Sequence, residues 1–141
     1  MGVTIKSKNK SIDLGYGGFA RLREKVAELA GNDIGIHYKR LNNAPYFESE
    51  RKKWFKEYDK RIAIISENHH GKLDGILDFL YSSDCGAKMS VDVCKQIYEV
   101  IKDYDDNILY GYAGRSDCTK FRDFKELVKD CIDNNCDMEG W

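Results

Sequence analysis

No stretch of the chain approaches the roughly 18 consecutive apolar residues that a helix needs to cross a bilayer. The first residues, with Val3, Thr4 and Ile5 set among lysines, also lack the long apolar core of an export signal, so the expectation is a cytoplasmic protein without a membrane partner. Net charge is almost absent: 23 Lys and Arg against 24 Asp and Glu leave −1, which argues against coating of nucleic acid through bulk charge. The five cysteines are odd in number and show no C-x-x-C spacing, so reduced thiols are expected in place of a disulfide framework. There are only three histidines, and there is no H-E-x-x-H, no zinc-finger spacing and no G-x-S-x-G, so no metal and no cofactor are expected. Proline occurs once, at Pro45, leaving long segments free to form helices.

What is present suffices for a core. Hydrophobic residues make up 42% and aromatics 12%, far from the composition of a disordered chain, and 141 residues fit a single helix-rich domain spanning 1–141. Charge is uneven. Residues 1–61 hold 14 basic and 8 acidic side chains, residues 62–141 hold 9 and 16, and mutual attraction of the two halves is the simplest use of that asymmetry.

Periodicity organises the chain. Residues 3–8 alternate like a short edge strand, and the three glycines of Ser11-Ile12-Asp13-Leu14-Gly15-Tyr16-Gly17-Gly18 predict a tight loop over residues 11–18. Helical spacing follows at Phe19, Leu22, Val26 and Leu29 up to Gly31, and again at Ile34, Tyr38 and Leu41. Phe47, Trp54, Phe55, Tyr58, Ile62 and Ile65 mark a long helix, although residues 61–65 also read as a buried strand. Leu73, Ile76, Leu77 and Leu80 mark another, with Gly75 suited to a close helix crossing. Ser90 is a good N-cap for a helix that buries Cys94, Ile97, Tyr98 and Ile101. Ser116 or Asp117 is expected to cap the last helix, with Phe121, Phe124, Val128, Cys131 and Ile132 as its apolar stripe. The result is an α+β fold, predominantly helical, with four to five amphipathic helices and a minimal two-stranded sheet joining residues 3–8 to 108–113.

Two segments suggest a ligand site. The glycine loop runs into a helix that carries Arg21 and Arg23, and free N–H groups at a helix start favour an anion. It is neither a Walker A loop nor a dinucleotide fingerprint. Packing of Tyr16 and Phe19 about a glycine hinge is the competing, purely structural reading. The second segment, Tyr110-Gly111-Tyr112-Ala113-Gly114-Arg115, combines stacking faces with a guanidinium that suits phosphate, unless its tyrosines simply alternate in a strand. The candidate ligand-binding residues are therefore Gly15, Tyr16, Gly17, Gly18, Arg21, Tyr110, Tyr112 and Arg115. Asp103-x-Asp105-x-Asn107 opens like a calcium loop but has Ile108 and Gly114 where glycine and glutamate are required. Cys118 in a helix first turn, or Cys85 in a glycine loop, with one of His37, His69 and His70 as base, would be needed for a cysteine enzyme.

Residues 11–19, and residues 101–107 together with 110–115, resemble segments of small uncharacterised proteins encoded by phages and prophages of Gram-positive bacteria. The resemblance covers about a third of the chain and carries no catalytic residues. It implies a cytoplasmic setting in a bacterial host cell and action by binding: a non-catalytic phage-type accessory protein that takes an anionic small molecule, such as a signalling nucleotide of host anti-phage immunity. The alternatives are a protein–protein inhibitor of a host factor, acting through the acidic C-terminal helix and residues 138–141, and a cysteine- or metal-dependent enzyme. A homo-oligomer that builds its pocket at a subunit interface fits the same expectation.

Overall fold

A computed structural model describes residues 2–82, 87–104 and 120–140. In these residues the chain forms β1 (Gly2–Lys6), β2 (Ser11–Gly15), α1 (Tyr16–Ala30), α2 (Asn32–Lys39), a 3₁₀ turn (Arg40–Asn43), α3 (Glu48–Asn68), α4 (Asp74–Tyr81), β3 (Ala87–Met89), α5 (Val91–Ile101), α6 (Phe121–Asp133) and β4 (Met138–Gly140). The fold is α+β and predominantly helical, as its periodicities imply, with six α-helices among the described residues. None of them is long and apolar enough to cross a membrane.

The sheet is larger than expected. Its four strands run in the order β2-β1-β4-β3, and every neighbouring pair is antiparallel. Residues 11–15, expected as loop, are a strand in full register with β1, where Val3 faces Leu14 and Ile5 faces Ile12. The reason is period two: Ile12 and Leu14 alternate with Ser11 and Asp13, and only the apolar pair is buried. Thr4 Oγ1 donates to Asp13 Oδ1 at 2.7 Å on the open face. The expected partner of β1, residues 108–113, lies outside the described residues; β4 occupies the other edge of β1.

Val3, Ile5, Ile12 and Leu14 cover one apolar cluster together with Phe19, Leu22 and Val26 of α1, Ile76, Phe79 and Leu80 of α4, Cys94, Ile97 and Ile101 of α5, and Phe121, Phe124, Leu127 and Val128 of α6. Ser90 caps α5 by accepting from Val93 N at 3.4 Å, and Cys94, Ile97 and Ile101 form its buried face. For α6 the N-cap is Lys120, whose N–H donates to Asp123 Oδ2 at 2.8 Å; Ser116 and Asp117 lie outside the described residues. α1 begins at Tyr16, ahead of its apolar stripe, because first-turn N–H groups need no helical partner and glycine is tolerated there. Gly75 does sit at a helix crossing. A Cβ there would fall 2.7 Å from Gln96 Oε1 of α5, the atom that accepts from Gly75 N at 2.9 Å.

α3 is a single helix, so residues 61–65 are not a strand. Of its 21 residues only Tyr58 and Ile65 are buried. It ends in a Schellman motif: Gly71 N–H reaches Ser66 O at 2.9 Å, His70 N–H reaches Glu67 O at 3.0 Å, and His70 adopts φ 55°.

Candidate functional site

Where α3 leans on the body of the protein, an open groove of about 460 Å³ remains. Each wall follows from helical spacing. α1 contributes Phe19, Ala20 and Arg23, one turn apart; α3 contributes Phe55, Tyr58, Asp59 and Ile62; α4 contributes Leu80 and Tyr81; Tyr38 and Leu41 close the end. The volume lies within the range of small-molecule sites, which combine apolar walls with a few fixed polar groups.

Tyr58 is the hub. Its ring lies between His37, at 3.8 Å and 19°, and Trp54, at 5.1 Å and 18°. Its hydroxyl lies 2.9 Å from His37 O and 3.1 Å from Tyr81 Oη. A carbonyl can only accept, so the single Tyr58 proton goes to His37 O, and the Tyr81 proton must then point at Tyr58. That leaves Tyr81 with acceptor lone pairs alone for any visitor to the groove. Burial pushes Tyr81 up to about 12 and holds Tyr58 far above the usual phenol range, so both are neutral at physiological pH. His37 moves the other way. Burial, then the charges of Arg40 and Arg61, depress its basicity, and its buried Nε2 has no hydrogen-bond partner among the described residues. His37 therefore works as a neutral stacking plane.

Arg23, buried beneath the groove, donates from Nη2 to Ser82 O at 3.1 Å and to Ser82 Oγ at 2.8 Å, while its guanidinium lies 4.2 Å from the Phe19 centroid. It thereby satisfies the carbonyl end of α4 and brings a cation to the groove wall. Asp59 is the acidic residue of the lining. Arg40 and Arg61 are exposed and act electrostatically on His37; their sequence neighbours Leu41 and Ile62 line the groove. A second, shallower depression of about 550 Å³ shares Ile62, Tyr81 and Ser82 and continues along Lys88, Met89 and Val93.

Of the residues singled out from sequence, Gly15 ends β2 and N-caps α1, while Tyr16, Gly17 and Gly18 form its first turn, directly before the groove-lining Phe19 and Ala20. A Cβ at Gly15 or Gly17 would meet nothing within 4 Å, so packing does not demand glycine at either place. Arg21 is exposed and is not part of the groove wall. Tyr110, Tyr112 and Arg115 lie outside the described residues, as do Cys85 and Cys118. His69 Nε2 sits 2.8 Å from Asp33 Oδ2. Among the described residues no three His, Cys, Asp or Glu side chains are grouped to hold a metal.

Sequence reasoning missed Arg23, Tyr58 and Tyr81 as a set. Arg23 was legible, since it falls four residues after Phe19 and three before Val26, on the buried side of the helical repeat. The meeting of Tyr58 with Tyr81 was not, because nothing local sets how α3 crosses α4. Taken together, fold and groove define a helix-rich α+β protein with an aromatic, mixed-charge cleft. Comparison with protein-family models, with curated proteins and with solved structures finds no match to the chain.

Proposed function

We propose that the protein is a non-catalytic binding module that holds a planar, anionic small molecule of nucleotide type in the groove between α1, α3 and α4. The observation that carries this reading is the set of aromatic walls, Phe19, Tyr38, Phe55, Tyr58 and Tyr81, around about 460 Å³ with Arg23 and Asp59 beside them. A base stacks on such rings. Its amino group finds acceptors in Tyr81 and Asp59, and Arg40 and Arg61 supply the cations for a phosphate. The anionic ligand expected from sequence is retained, with these arginines as its cations. A phage-borne protein sequestering a host signalling nucleotide is one setting in which such a module acts.

The test uses Trp54, stacked on Tyr58, as an internal reporter in a Trp141→Phe background. Titration with adenosine monophosphate should change its fluorescence saturably, adenosine should bind more weakly, and inorganic phosphate should leave it unchanged. Tyr81→Ala and Arg61→Ala should each weaken the monophosphate at least about tenfold, equivalent to about 1.4 kcal/mol. Absence of any saturable change with the monophosphate, or affinity untouched by both substitutions, would rule out this groove.

One observation favours a second reading. Tyr46 and Phe47 are 93% and 69% exposed, and Ile36 and Ile64 are also exposed, with Arg51, Lys52 and Lys53 close by in sequence. An acidic protein surface is the complementary partner. The C-terminal route expected for a protein inhibitor is weakened, because Met138 is wholly buried in β4. Loss of a defined cross-linked partner in Tyr46→Ser/Phe47→Ser, with the groove still binding, would support this reading; retention of that partner would refute it.

A further inference from the structure

α6 also ends in a Schellman motif, and the residues at its two contact positions are both cysteine. Cys136 N–H donates to Cys131 O at 3.0 Å, Asn135 N–H donates to Ile132 O at 3.3 Å, and Asn135 takes φ 50° as the left-handed residue between them. In this motif the side chains of the first and sixth residues meet, usually as an apolar contact. Here the meeting is thiol on thiol. The thiols of Cys94 in α5 and of Cys136 both act on that of Cys131. Cys94 and Cys131 are wholly buried, whereas Cys136 is only half-buried. Half-buried Cys136 is thus the one of the three that solvent reaches.

We propose that Cys131 and Cys136 are an oxidation site that closes to a disulfide on exposure to hydroperoxides. A disulfide needs α-carbons roughly 4.4–6.8 Å apart, and the 3.0 Å backbone hydrogen bond from Cys136 N–H to Cys131 O holds the two residues close. Cys136, the accessible thiol, attacks one oxygen of hydrogen peroxide; the O–O bond breaks, the sulfur becomes a sulfenic acid, and the departing hydroxide leaves as water with the thiol proton. The Cys131 sulfur then attacks the sulfenic sulfur, the S–S bond forms, and the expelled hydroxide leaves as water with the Cys131 proton. Two thiols lose two electrons and one peroxide becomes two waters. Cys94 beside it, together with burial, holds the Cys131 thiol above its ordinary range, so the attack on peroxide falls to the accessible Cys136. The link would pin the corner from which β4 enters the sheet between β1 and β3.

Peptide mapping of the full chain, oxidised by hydrogen peroxide and alkylated without reduction, tests this. Trypsin cuts after Lys129, so residues 130–141 carry both cysteines, while Cys94 leaves on residues 89–95. The expected product is the 130–141 peptide, unalkylated and lighter by about 2 Da, returning to two alkylated thiols after dithiothreitol. Cys136→Ser should abolish that loss, and Cys94→Ser should preserve it. The proposal is overturned if the unsubstituted chain keeps both thiols open to alkylation, if Cys136 goes straight to sulfinic acid, or if the main cross-link joins 130–141 to 89–95. Because the decisive measurement is made on the unsubstituted chain, a misfolded variant does not blunt the test.

Discussion

Tyr58→Ala should release α3 while leaving most of the protein folded. α3 buries only Tyr58 and Ile65, with Trp54, Phe55 and Ile62 half-covered, so one ring is a large part of what holds 21 residues in place. Truncating a buried aromatic costs about 3–5 kcal/mol. The hydroxyl adds little to this, about 1 kcal/mol, because His37 O also accepts from Arg40 N–H and keeps a donor when Tyr58 is lost. Without its packing, a charged helix of this length is marginal in water. Local opening has its own free energy, lower than the global value. Removing about 3–5 kcal/mol from it should bring amide exchange in residues 48–68 close to the unfolded rate. Hydrogen exchange read by mass spectrometry reports each segment separately. α5 and α6, joined through Ile97, Ile101, Phe124 and Val128, should keep their protection. Tyr58→Phe, which deletes only the hydroxyl, should shift α3 by about 1 kcal/mol. An equal rise of exchange in α3, α5 and α6 would refute the argument, as would an unchanged α3.

Acid should weaken the fold through His37. Its folded pKa lies below the unfolded value of about 6.5, so the unfolded chain binds more protons, and this contribution is complete above about pH 6.5 and declines as pH falls toward the folded pKa. The urea midpoint should drop from about pH 7 to about pH 5.5, and His37→Phe, which keeps a stacking ring, should flatten that slope. Gly140→Ala should destabilise by about 1–3 kcal/mol in thermal melts, since φ there is 129° and a Cβ would run into the Thr4 carbonyl oxygen. His70→Gly should raise stability by about 0.5–1 kcal/mol, because the residue sits at φ 55° with its side chain in solvent.

How far the sequence foretold the fold depended on range. Ser90, Cys94, Ile97 and Ile101 announced α5 completely, because an N-cap and a period of 3.6 are written within a dozen residues. Ile12 and Leu14 announce a strand just as clearly, but the three glycines at 15, 17 and 18 signal a loop, and glycine breaks regular structure only inside an element, not at the junction of two. β3 and β4 are three residues each, too short for any periodicity, and exist because Met89 and Met138 find each other across a sheet assembled from distant segments. No local rule reaches that far.

The site was legible at its edges only. Aromatic spacing marked α3 and leucine spacing marked α4, yet the residues that line the groove come from four places in the chain, and their meeting depends on how α3 lies. That dependence links site and stability. Tyr58 holds α3 down through His37 and Tyr81 and also forms a wall of the groove, so a ligand stacked on it adds contacts that exist only when α3 is docked. By mass action such a ligand stabilises the docked state in proportion to its saturation, by about 2.7 kcal/mol at one hundred times its dissociation constant. Exchange in residues 48–68 should therefore slow with ligand while α6, which contributes no residue to the groove wall, stays as it was; slowing confined to α6 would place the ligand elsewhere.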